Sequence, residues 1–336
     1  MTATPIATRA LGSPRRVAAV VGNTWVRFIV RRVLRLAVSL WVVLTASFAM
    51  IHLIPGDPVR AALGITASPR LVAQRRHLLG LDQPLPHQYL HYIHGLFTGD
   101  LGTSIVSNEP VSSLIAVRLP NTLELACLAF IVILLVAYPI GLLFAIRTQD
   151  NRHHFTELSF TTGTAVLGTV PEFVLGAVLV AGLAVALRIF PVAGQSGPKS
   201  YVLPVISLAL GPAAILSRIV RVEAVRVLGE EYIRAARAKR LPARIIYLRH
   251  AFPNMLTASL TIAGNLLPAL IAGTVLVENV FGWPGLGTAI SDSVEQQDYA
   301  VVQAVVLVLG GSVLLINFVL DCVLAILDPL STIRDS

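Results

Sequence analysis

The chain has 336 residues, of which 55% are hydrophobic and 13% charged, with a net charge of +8. A soluble domain carries about twice that share of charge, which argues against a soluble enzyme and for a protein that crosses a membrane many times. The basic balance does not call for nucleic acid, because the arginines cluster beside apolar runs rather than on a polar domain.

The chain opens with residues 1–33, which carry Arg9, Arg15, Arg16, Arg27, Arg31 and Arg32 and no acid. The apolar run that follows, 34–54, is too long for a signal-peptide core. It ends at Pro55 without a small-x-small site, so it reads as a retained span. Residues 55–119 then form a long loop with a pattern of its own. "LVAQRRHLLGLDQPLPHQYLHYIHGLF" predicts two short amphipathic helices split by a turn at Asp82–Pro86. His87, His91 and His94 fall at i, i+4 and i+7 on one helical face, a spacing that can hold a metal. No Cys lies nearby and Asp82 is the only close carboxylate, so a solvated face is the better account.

Five further apolar runs are long enough to cross about 30 Å of hydrocarbon: Leu123–Ile146, Leu158–Leu187, Val202–Ile219, Leu256–Val277 and Ala300–Leu327. In lipid each must be a helix, because an open strand edge leaves its backbone unsatisfied. The third span of the six holds "TVPEFVLG", with Glu172 near mid-depth. A charge there costs about 2.5–3.5 kcal/mol on insertion scales and usually faces a cavity or a partner. Pro171 predicts a kink. Pro171, Glu172 and Phe173, with Glu278 at the end of the fifth span, are candidates for a transport pathway; a packed or paired Glu172 is the plainer alternative. Glu124 and Asp321 lie nearer span ends. Cys127 and Cys322 sit inside apolar runs and read as two small buried hydrophobes.

After the third span comes "GQSG", Gly194–Gly197, which resembles the nucleophile motif of intramembrane serine proteases. Pro191 and Pro198 bracket it, so a turn is the simpler reading. A Ser196 nucleophile needs a nearby base, and the only later His, His250, is expected on the other side of the membrane.

The most charged segment follows the fourth span: "EEYIRAARAKRLPARIIYLRHAFPN", Glu230–Asn254. It predicts helix, break, helix. Tyr232, Ala235 and Ala236 fall at i, i+3 and i+4 and form one small-residue face. Glu230 and Arg234 are spaced to pair across a turn, and Pro242 suits the first turn of the second helix. Small side chains allow a close approach by another protein; a basic loop on anionic headgroups is the alternative. Residues 218–249 hold nine basic residues against three acids, whereas 278–298 hold four acids and no Lys or Arg. Arg-rich loops stay cytoplasmic, which predicts a cytoplasmic location for both termini, for 147–157 and for 218–254.

No Gly precedes either Lys in the pattern of a phosphate-binding loop, so the chain has no ATPase of that type. Intramembrane acids and histidines are too few for an ion-driven relay. Energy is therefore expected from another polypeptide.

The charged segment resembles the EAA coupling motif of ABC importer permeases, in its dipeptide and oligopeptide form. "IPGDPV", "LGLDQPLPHQYL", "GDLGTSI", "RLPNTLELA" and "VENVFGWPGLG" are similar to the same branch, in the same order. The resemblance runs from about Arg31 to Pro329 and is to the first permease subunit of the peptide/nickel family. It implies an all-α integral membrane protein with six transmembrane helices: a MetI-like type I core over 120–329, preceded by the N-terminal span, with a coupling segment at 229–254 and a tail at 330–336. It implies that Glu230, Glu231, Tyr232, Arg234, Ala235, Ala236, Arg237, Lys239, Arg240 and Leu241 form a coupling helix seated in a cytoplasmic ATPase. Arg240 stands where the motif usually has Gly, which puts the turn under strain or alters it. Asp328-Pro329-Leu330 departs from the usual Asp-Pro-Arg. The implied partners are a second homologous permease, two ATPase subunits or domains that hold ATP and Mg, and an extracytoplasmic peptide-binding protein; the chain itself would carry no cofactor. Peptide is the implied cargo, with nickel and glutathione as alternatives within the family.

Overall fold

A computed structural model describes residues 14–53, 59–60, 67–78, 82–149 and 154–327. Most of "IPGDPV", the first residues of "LGLDQPLPHQYL" and the terminal Asp328-Pro329-Leu330 lie outside the described residues. Helix α1, Pro14–Leu53, starts well before the expected span, and its apolar window is Val26–Met50. Two short helices follow, α2 at Pro69–Leu78 and α3 at Leu85–Thr98, as the loop pattern predicts. His77 Nδ1 bonds Asp82 Oδ2 at 2.7 Å beside the turn between them. This contact raises the His77 pKa above its usual value and lowers that of Asp82.

Helix α4, Val111–Thr148, begins about three turns before the predicted span and carries Pro120 and Pro139 inside it. Next come α5, His154–Thr169, and α6, Glu172–Leu179, which runs on as a π-helical stretch to Ala186. Helix α7 is Val202–Leu228 and α8 is Glu231–Ala238. A short α9, Ala243–Ile245, passes through a π-helical stretch into α10, Phe252–Gly264. Helices α11 (Leu266–Phe281), α12 (Leu286–Glu295) and α13 (Tyr299–Leu327) complete the chain.

Among the described residues, five helices are long and apolar enough to cross a membrane, and the bent pair α5–α6 makes a sixth crossing. That pair corrects the expectation of a merely kinked third helix, for the bend is 94°. Its outer limits sit at opposite ends of α7. Glu157, in α5, bonds Arg221 at 2.7 Å, and Arg221 also donates to Thr148. Beyond α6, Gly194 N donates to Phe281 O at 2.8 Å, and the chain re-enters α7 through Pro198–Tyr201. Tyr201 and Arg221 are about 30 Å apart along a helix, so the pair is a broken span and not a hairpin that returns to its starting side.

The central contact is α4 against α7. At Gly141 a methyl group would lie 2.7 Å from Ser217 O and from Val220 Cγ1, so only Gly permits the helices to approach this closely. The core built here runs from Leu125, Ile133 and Ala145 through Leu208, Leu216 and Val220 to Ile233 on the buried side of α8. A second cluster joins Val111 and Ile115 to Leu286, Ala289 and Val305 at the other end of α4. Helix α13 packs along α1, with Arg32 paired to Asp321 and Ser47 Oγ donating to Gln303 O at 2.9 Å. Cys127 is exposed and Cys322 half-buried, which corrects the expectation that both are core residues. In a membrane span an apolar side chain can face lipid and need not be interior.

Candidate functional site

Three regions hold the residues singled out from sequence. The first is α8, at the end of the bundle that carries Arg147, Arg221 and Arg226. The N-terminus of α8 follows Glu230, in extended conformation, with no side-chain cap bond. Ile233 and Ala236 are buried and anchor the helix to the chain's own core. Glu231, Tyr232, Arg234, Ala235, Arg237 and Lys239 are exposed. The small-residue face expected at Tyr232, Ala235 and Ala236 is therefore split, with Ala235 outward and Ala236 inward. Ile233 three residues before Ala236 sets the buried side. Arg234 does not pair with Glu230 as expected; its guanidinium donates to Gly229 O at 3.0 and 3.2 Å. Arg237 donates to Gln149 Oε1 at 2.9 Å, tying α8 to the end of α4. Loss of hydration, reinforced by the neighbouring Glu230, pushes the Tyr232 hydroxyl above its usual range.

The end of α8 keeps the turn that a Gly would make, although Arg occupies it. Arg240 has φ +56°. Its N–H bonds Arg237 O at 2.9 Å and Leu241 N bonds Ala236 O at 3.3 Å. Those are the two bonds of a left-handed helix stop, with Leu241 packed on the core. Pro242 caps α9 from just outside, one place earlier than expected. The cost of a left-handed non-Gly residue is about 1–2 kcal/mol. Arg240→Gly should thus raise the melting midpoint of the purified protein by an amount worth about 1 kcal/mol. Arg240→Val, β-branched at positive φ, should lower it.

The second region is the bend at Pro171. Glu172 is the first residue of α6, where a carboxylate suits the positive end of the helix. Its main-chain oxygen accepts from Ser207 Oγ at 2.6 Å. Its side chain is half-buried beside Gly273 of α11, where an added methyl would stand 2.9 Å from Oε1. Phe173 and Pro171 are exposed. The bend thus sets Glu172 against α7 through its main chain and against α11 through its carboxylate, and leaves Pro171 and Phe173 exposed.

The third region is the turn from α11 to α12. Glu278, a candidate for the pathway, is instead fully buried. Oε2 accepts from Gly287 N at 2.6 Å, and the carboxyl fills the space where Gly285 would otherwise carry a side chain. The turn then seats on α4. Leu286 N donates to Thr122 Oγ1 at 2.8 Å, Asn121 Nδ2 donates to Pro284 O at 2.8 Å, and Trp283 Nε1 donates to Asn121 O at 3.3 Å. Arg118 reaches Thr288 Oγ1 at 3.2 Å. Trp283 stacks edge-on with Tyr201, whose hydroxyl donates to Glu124 Oε2 at 3.2 Å. "RLPNTLELA" and "VENVFGWPGLG", far apart in sequence, are thus two halves of one clasp. Sequence reasoning missed Asn121 and Thr122 as partners of this turn; the glycines at 285 and 287, seven and nine residues after an acid, were the available signal.

His87, His91 and His94 are all exposed on α3, and among the described residues no group of three or more His, Cys, Asp or Glu converges on a metal position. Ser196 lies in the turn beside Gly194 (φ +81°), at the opposite end of α7 from His250, so the pair that a serine hydrolase would need is not assembled.

The sequence of this helical bundle matches known families over most of its length. Residues 137–332 match the family described as the binding-protein-dependent transport system inner membrane component, and residues 25–126 match its N-terminal companion. The chain belongs to this family of ABC importer permeases. The glutathione transport system permease protein GsiC of Escherichia coli is 36% identical over 305 residues, covering 90% of this chain and 97% of its own. The GsiC protein of Pectobacterium atrosepticum is 36% identical over 302 residues with the same coverage. A solved amino acid ABC transporter is similar at a TM-score of 0.47 and 17% identity, covering 63% of this chain and 94% of its own. As a member of the peptide/nickel branch, the permease is an all-α, multi-pass transport subunit.

Proposed function

We propose that this permease is one half of a membrane channel through which an ATP-driven importer moves small peptides, glutathione included. The observation that carries the reading is α8: a short helix at the arginine-rich end, anchored inward by Ile233 and Ala236 and offering Glu231, Tyr232 and Ala235 outward. The concentration of Arg around it favours the cytoplasmic side. The chain's own lack of a phosphate-binding loop means that the stroke must come from elsewhere. In this reading α8 seats in a separate cytoplasmic ATPase, and a second, homologous permease carries the matching helix for a second ATPase. ATP and Mg belong to those partners. Closure of the ATPases moves the coupling helices, and the spans rock to open the pathway outward. An extracytoplasmic binding protein then delivers the peptide, and hydrolysis resets the cycle. In this reading the bend at Pro171–Phe173 borders the path, and the half-buried Glu172 carboxylate is a candidate to meet a polar cargo there.

The test is reconstitution of the four-part system in vesicles with labelled dipeptide, tripeptide, glutathione and Ni2+. Uptake of the peptides that requires both ATP and the binding protein is the expected result. Uptake by this chain alone, or uptake driven by an ion gradient without ATP, would defeat the proposal. Uptake restricted to Ni2+ would overturn the cargo class.

A further inference from the structure

Three exposed histidines and the exposed side chains of Leu90 and Phe97 share the outer face of α3 beyond Pro86. Helical spacing puts Leu90 and Phe97 on one strip, seven residues apart, and His87, His91 and His94 on the strip beside it. Phe97 is 88% exposed and Leu90 66%. The opposite face of α3 is held to α1: Tyr89 OH lies 2.8 Å from Thr45 Oγ1, and the Phe48 ring packs against Tyr89 at 5.2 Å and Tyr92 at 5.8 Å between centroids. This contact fixes the depth of α3. Thr45 and Phe48 lie inside the apolar window of α1, which ends at Met50, and almost none of that window is buried by the chain. At 1.5 Å per residue, Tyr89 meets α1 roughly 3–8 Å short of the window's limit. That is where the hydrocarbon gives way to headgroups, and where Tyr side chains are enriched.

From this placement we infer that α3 is an interfacial helix of the membrane: Leu90 and Phe97 enter the acyl chains of the leaflet at the acidic end of the bundle, and the histidine strip lies among the headgroups. The arrangement has the two unlike strips of a helix lying in the interface plane. The histidine periodicity then follows from the membrane boundary and requires no metal. The inference needs the chain to be a membrane permease but does not depend on its cargo or its ATPase.

The experiment places a spin label at Leu90→Cys or Phe97→Cys, and in parallel at His87→Cys or His91→Cys, in the assembled transporter in lipid vesicles. Cys127→Ala and Cys322→Ala remove the native thiols. Collisions with oxygen should exceed those with a water-soluble nickel chelate at 90 and 97, and the order should reverse at 87 and 91. Two independent apolar positions keep the test alive if one variant does not assemble. Chelate access that is equal at all four positions would overturn the inference, because the helix would then stand in water. Exclusion of both reagents at 90 and 97 would also overturn it, because a protein partner would then cover the face. ATP-driven uptake measured on the same labelled samples separates this outcome from failure of the transport reading.

Discussion

Ala235→Trp should leave the permease in the membrane at its normal level and reduce ATP-driven uptake by roughly 30-fold, the equivalent of losing about 2 kcal/mol at the centre of an interface. Ala235 is exposed, away from the chain's own core, so under the proposed docking an indole there would meet the ATPase and not the bundle. Hydrolysis should persist but no longer respond to the binding protein. Ala236→Trp is the necessary contrast. Ala236 is 7% exposed and touches the core beneath α8. Its replacement overfills that space at a cost of about 1–3 kcal/mol or more, and the amount of folded protein should drop before coupling can be measured. Uptake kinetics and membrane abundance, read together, distinguish the two. Normal transport by Ala235→Trp would remove α8 as the docking element.

Gly287→Ala should be among the most damaging single-methyl changes in the chain. The added carbon would lie 2.5 Å from Val275 Cα and 2.8 Å from Glu278 Oε2. Backbone cannot yield as a flexible side chain can, so the start of α12 must move away from α11 and disturb the turn that seats on α4. Overpacking of this kind costs about 1–3 kcal/mol. Glu278→Ala attacks the same clasp from the other side. It leaves the Gly287 N–H without its acceptor, which costs about 1–3 kcal/mol, and opens a cavity. Glu278→Gln keeps a carbonyl oxygen for that bond and should be the mildest of the three. Thermal unfolding of the purified complex in detergent ranks them. A Gly287→Ala protein that melts with the wild type would show that the turn is not clamped as described.

Much of the architecture could be read from the chain because lipid makes hydropathy and span nearly the same quantity. The two loop helices were equally legible, since Asp82–Pro84 turns and the prolines at 84 and 86 suit the cap and first turn of the second helix, which starts at Leu85 inside the expected turn. The stop at Arg240 was foreseeable from the helix pattern around it, and the structure shows that the backbone keeps its left-handed step despite the wrong residue. The 94° bend was not legible. Residues 158–187 form a single apolar run, and hydropathy carries no information about direction. The burial of Glu278 was hidden for another reason. An acid beside a loop looks solvated until Gly285 and Gly287 are seen to fold back onto it. The choice between Ala235 and Ala236 turned on Ile233, whose bulk decides which side of a short helix goes inward.

A helix that turns through a right angle inside hydrocarbon cannot keep every peptide carbonyl occupied by its own fourth neighbour. Thr169 Oγ1 attends to one at Val166, but bare backbone on the outer side of such an elbow is costly in oil. The bend should therefore be habitable only when a companion subunit or a water-filled vestibule shelters it. Under the proposed pairing with a second permease, this chain made without that partner should be a poor membrane citizen, short-lived and open to quality-control proteases, and its lifetime in cells should track the partner's supply.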